Sequence, residues 1–217
     1  MKTKTKTVSL YEEIANSVTH GLGAVAGIII SFLMLFHAYN SGNSWYFGSV
    51  IAFCLSLILL YSASTIYHAY TGEKGKLLLR KFDHSAIFIF IAGTYTPFTL
   101  VTLREQDLWG WTIFGIVWTA AIAGTVISFC HMKGSWVKTL CYLLMGWVVI
   151  IAIKPMVNVL RASDNMDVFY WLIAGGVFYT LGTIFYSLDK YKFMHAIWHL
   201  FVLGGSLCHV VAIYKLY

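Results

Sequence analysis

The chain has 217 residues, of which 59% are hydrophobic, 17% aromatic and 11% charged. Soluble domains carry about a quarter charged residues, so there is too little charge here to clothe a water-facing surface, and one compact integral-membrane bundle is predicted. The net charge of +6 fits basic loops facing anionic lipid, and without a Lys/Arg run interleaved with aromatics outside the apolar segments, nucleic acid is excluded as a partner.

Met1 to Lys6 has the look of a charged leader, but Glu12, Glu13 and Asn16 interrupt it before any apolar run, so no cleaved signal peptide is expected. Ser9-Leu-Tyr-Glu12 has the form of a helix capping box. Leu10, Ile14 and Val18 share one helical face, which predicts a short amphipathic helix on the membrane surface over about 8–17. A helix needs about 20 mostly apolar residues to cross a bilayer. Seven segments qualify, at about 18–39, 45–70, 82–103, 108–130, 136–154, 168–188 and 193–214. The fold expected is all-α, a single seven-transmembrane bundle over 1–217. Cys54, Cys130, Cys141 and Cys208 form no C-x-x-C pair and read as small core residues, not as disulfide or metal sites.

The basic residues give the orientation. Lys2, Lys4, Lys6, Lys74, Lys76, Arg80, Lys81, Lys133, Lys138, Lys190 and Lys192 fall on one side of this topology; Arg104, Lys154, Arg161 and Lys215 fall on the other. The positive-inside rule then places the N-terminus in the cytoplasm and the C-terminus outside.

With depth assigned, the polar residues sort into layers. His195 and His199, four apart at the start of the last span, lie one turn apart on one helix face. Ionisable groups inside a membrane are costly and mark functional sites. His68 at the end of span 2, Ser64 one turn before it, Asp83 at the start of span 3 and His20 in span 1 reach the same cytoplasmic-side layer. His37 and His209 fall toward the outer side, and His131 in a cytoplasmic loop. Three neutral imidazoles with a carboxylate or water suit tetrahedral zinc. Asp83, the one acid assigned to a span, is either a direct ligand, a base acting through a bound water, or a helix N-cap. Position 196 is Ala, so the Glu of H-E-x-x-H is missing and a zincin-type protease is excluded.

Glu12-Glu-Ile-Ala-Asn16-Ser-Val-Thr-His20-Gly, Tyr61-Ser-Ala-Ser64-Thr-Ile-Tyr-His68, Phe82-Asp83-His84-Ser-Ala-Ile-Phe-Ile, Gly93-Thr-Tyr-Thr-Pro97 and His195-Ala-Ile-Trp-His199 together resemble the bacterial hemolysin III proteins. That family belongs to the PAQR superfamily of adiponectin and progestin receptors. The resemblance implies a zinc ion near the cytoplasmic face of a bacterial cell membrane, bound by His68, His195 and His199, with Asp83 holding a zinc-bound water and Ser64 nearby. It also implies kinship with zinc-dependent lipid amide hydrolases of the ceramidase type. Three functions stay open at this point: hydrolysis of a membrane-lipid amide or ester, cytolysis by pore formation as the family name implies, and a non-enzymatic protein in which zinc pins spans together.

Overall fold

The computed structural model describes residues 8–130 and 135–217, so Lys2, Lys4, Lys6, His131 and Lys133 lie outside the described residues. Those residues fold into helices, of which seven stretches are long and apolar enough to cross a membrane.

Helix α1 spans Leu10–Asn40 and opens with the expected capping box: Glu12 N donates to Ser9 Oγ and Ser9 N donates to Glu12 Oε2. The amphipathic stretch is not a separate surface helix. It is the first part of α1, which continues without a break because neither Pro nor a turn intervenes before the apolar run. Thirty-one residues at about 1.5 Å each make roughly 46 Å, longer than the ~30 Å hydrocarbon core. The helix is thus longer than an untilted crossing needs.

A tight turn with Gly42 at φ +69° leads to α2, Ser44–Ala69, whose first amides at Trp45 and Tyr46 donate to the Asn43 side chain. Helix α3 covers Glu73–Pro97 and runs on through a π turn at Phe98–Thr102. It starts well before the expected boundary, with Gly72 in the N-cap place. Asp83 is thus inside a helix and does not cap one. Pro97 has no N–H to give, and the carbonyls around the irregular turn take hydroxyl bonds: Thr96 Oγ1 donates to Ala92 O, and Thr99 Oγ1 reaches Tyr95 O and Thr96 O. Inside a bilayer such hydroxyl contacts give backbone carbonyls beside the irregular turn a local partner.

Helix α4 is Trp109–Cys130. The fifth span is broken: α5, Ser135–Gly146, passes through a 3-10 turn at Val148–Ala152 into α6, Ile153–Ala162. It ends eight residues beyond the predicted 154. Helices α7, Met166–Ser187, and α8, Met194–Tyr214, complete the bundle.

Helix α3 is its axis, with 78% of its membrane window buried against 17–50% for the other spans. Close approach uses glycines: a Cβ on Gly205 would meet the Tyr179 ring at 2.7 Å, across the α7–α8 contact. Outward side chains such as Phe32, Leu33 and Phe36 are exposed, as lipid contact requires. Cys54 and Cys208 are buried as expected, whereas Cys130 and Cys141 are exposed, and all four are free.

Candidate metal centre

Three helix ends meet at the basic end of the bundle. Helix α2 arrives there with His68 in its last turn, α8 leaves from there with His195 and His199 in its first turns, and α1 crosses beside both. The end of α2 is held by Lys76, whose Nζ donates to Tyr67 O at 2.7 Å and Tyr70 O at 2.9 Å. A cation there also suits the negative end of the helix dipole. The start of α8 is held from α1: Phe193, at φ 62°, donates its N–H to Glu12 Oε1 at 3.2 Å.

These supports bring His68, His195 and His199 together, with one ring nitrogen from each lying within 4.8 Å of the others. His68 and His199 are 6% and 0% exposed. Their Nε2 atoms are buried and have no hydrogen-bond partner. The opposite nitrogens are engaged: His68 Nδ1 lies 2.6 Å from Glu13 Oε2, and His199 Nδ1 lies 3.2 Å from Asn16 O and 3.1 Å from Thr19 Oγ1. Buried polar atoms without partners are costly. A metal ion bound by the free nitrogens removes that cost, and histidines that bind metal usually have their other nitrogen held by a carboxylate, carbonyl or water in this way. The three-histidine group could therefore bind a metal ion, and the donor set fits one.

The other residues singled out in the sequence lie outside the three-histidine group. His20 is not one of the three. Its ring stacks on His199 with centroids 3.5 Å apart and meets Tyr61 edge-on at 5.1 Å. Asp83 is not in the cluster either. It lies beside His84, Oδ2 to Nδ1 3.4 Å, and lines a cavity that His20 and His195 also line. Ser64 is buried one turn before His68 but is not among the residues lining that cavity. The cavity follows α3 from Asp83 to Phe98, about 22 Å at 1.5 Å per residue. Its walls are mainly apolar, with Thr94, Tyr142 and Thr180 along the way and His209 near the far end.

Glu12, Glu13, Asn16 and Thr19 were not identified from the sequence as parts of the site. Helix α1 buries Glu12, Asn16, His20, Gly23, Gly27 and Ser31, a spacing of three and four that marks a single polar and small-residue face. That periodicity was the available signal for Glu12 and Asn16; Glu13 and Thr19 lie beside that face and outside the repeat.

Comparison with known proteins agrees with the motifs. A family profile described as Haemolysin-III related matches residues 8–210. "Hemolysin-3" of Bacillus cereus is 44% identical over 90% of this chain and 87% of its own length. The "Hemolysin-3 homolog" of Bacillus subtilis (strain 168) is 44% identical over 91% of both chains. More distantly, the human "Monocyte to macrophage differentiation factor" is 31% identical over 94% of this chain and 84% of its own. With seven candidate membrane spans, a three-histidine group at one end, and a match over nearly its whole length, the chain belongs to the haemolysin-III related family of membrane proteins.

Proposed function

We propose that this protein is a zinc-dependent hydrolase of a membrane-lipid amide or ester, working near the cytoplasmic face of a bacterial cell membrane. One observation carries the reading: a three-histidine group, two of whose members keep a buried Nε2 without a partner, stands at the end of a long, mainly apolar cavity that His195 and the Asp83 carboxylate both line. His68, His195 and His199 would hold the ion. Zinc bound there would supply an activated water and polarise a carbonyl.

The chain's own residues do the rest. Asp83, on the wall of the cavity that His195 also lines, takes the proton from the attacking water. Ser64 supplies a hydroxyl one turn from His68 at the level of the site. The cavity accepts the lipid chain and keeps bulk water from it, and its length suits a long acyl group. The surrounding hydrocarbon provides entry between helices.

The test is a panel of lipid amides and esters offered to purified, zinc-loaded protein in detergent or bilayer. Wild-type protein should hydrolyse at least one of them. Asp83→Asn should keep its zinc while turnover falls by about 10²–10⁴-fold, the usual contribution of a positioned acid or base. Unchanged turnover in that variant removes Asp83 from the chemistry. Loaded protein that hydrolyses nothing in the panel rejects the hydrolase reading in favour of a zinc that only pins α2 to α8. The relatives' name suggests cytolysis, and lysis of cells by Asp83→Asn as efficient as by wild type would separate that activity from this site.

A further inference from the structure

His68 is the only one of the three clustered histidines whose outer nitrogen meets a carboxylate among the described residues. Glu13 Oε2 lies 2.6 Å from its Nδ1, while the other carboxylate oxygen, Oε1, lies 3.1 Å from Lys76 Nζ. Lys76 in turn is fixed by the two carbonyls that end α2 and lies over the Tyr67 ring, 4.6 Å from its centroid. A lysine held by three acceptors thus anchors a glutamate, and that glutamate meets a metal-cluster imidazole. The Asn16 amide also approaches His68 Nδ1, but at 3.5 Å. The much shorter carboxylate contact decides which atom carries the proton: Nδ1–H donates to Glu13, and Nε2 is left bare.

We propose that Glu13, tethered by Lys76, is the positioning residue that fixes His68 in the tautomer presenting Nε2 to the metal. The proposal rests on the metal reading of the histidine group. It gives the start of α1 a defined task, because a helix outside the ligand set then controls one ligand's orientation and basicity. It also links metal affinity to the first turn of α3, from which Lys76 comes. A groove at this end is lined by Glu13, His68, Glu73 and Lys76, so the tether stands at a surface-accessible approach to the site.

The experiment measures zinc affinity by competition with a chelator in wild type, Glu13→Ala, Glu13→Gln and Lys76→Met. Alongside it, ¹⁵N-histidine NMR of metal-free protein reads the His68 tautomer, assigned with His68→Gln. Glu13→Ala should weaken zinc binding by about 10- to 100-fold, the usual effect of losing a second-shell partner, and should release His68 into mixed tautomers. Glu13→Gln, whose amide oxygen still accepts from Nδ1–H, should lose less affinity and keep the tautomer, which a merely structural role would not predict. Lys76→Met should fall between wild type and Glu13→Ala. Should Glu13→Ala fail to fold, the Gln and Met variants carry the test, with metal-free thermal unfolding as the control. Zinc affinity in Glu13→Ala equal to wild type, or a wild-type His68 protonated at Nε2, overturns the proposal. Wild-type protein that takes up no zinc overturns the metal reading itself and is recognised before any variant is made.

Discussion

Both ends of this bundle bury histidines, yet only one end gathers them. At the outer end His209 Nε2 meets Leu172 O at 3.2 Å, and His37 Nε2 meets Tyr217 O at 3.0 Å. His37 also stacks on Tyr214, with centroids 4.1 Å apart. Each of these imidazoles is tied by one nitrogen to a nearby carbonyl and serves the packing of its own helix pair. His209 Nδ1 is left buried without a partner, but it stands alone, whereas at the basic end His68 and His199 each keep a buried Nε2 without a partner and belong to one cluster with His195. The residue type is the same at both ends. What distinguishes a metal centre is the direction in which unsatisfied atoms converge, which the helix ends and the α1 supports determine.

The strongest way to break this comparison is to remove the convergence. His195→Ala with His199→Ala should reduce bound zinc from about one per chain to none, read by elemental analysis of protein purified without chelator. Bound metal stabilises the folded form by mass action, about 4 kcal/mol when its concentration is a thousand times the dissociation constant. Chelator should therefore lower the thermal midpoint of the wild type and leave that of the double variant unmoved. A double variant that still binds one zinc would relocate the centre.

The same contrast explains what the sequence could and could not disclose. The four-residue spacing of His195 and His199 is visible in the chain, and counting spans brings His68 to their depth. Neither step needs side-chain geometry, because helix period and bilayer thickness are fixed quantities. Asp83 was placed at the right level but read partly as a cap, since the polar Glu73–Lys81 stretch hid the true start of α3. The supports were harder to see. Asn16 acts on His199 through a backbone carbonyl, which every residue possesses and no motif records. Glu12 was read as part of a capping box and Glu13 as an acid ahead of an apolar run, yet Glu12 is also 4% exposed and holds Phe193. Glu13 is identified only when α2 and α3 bring His68 and Lys76 to it.

Smaller effects are expected where the histidines stand apart. His209→Leu removes one bond to a carbonyl, and a net cost of about 0.5–1.5 kcal/mol is usual for such a loss. The leucine must also fit the close contact at Gly175, where a Cβ would already meet the imidazole at 2.4 Å. Zinc content should not change. His37→Phe should have the smallest effect of all. The phenyl ring can keep the stack on Tyr214, and the lost partner, Tyr217 O, belongs to an exposed contact, where water replaces the missing donor at little cost. Thermal unfolding with and without chelator measures both variants, and the chelator-induced shift should match wild type in each. A shift abolished by His37→Phe would mean that the outer end communicates with the metal along α1, the one helix that carries both His37 and the supports Glu13, Asn16 and Thr19. An unchanged shift confines metal control to the first turns of α1, where the carboxylate and carbonyl partners lie.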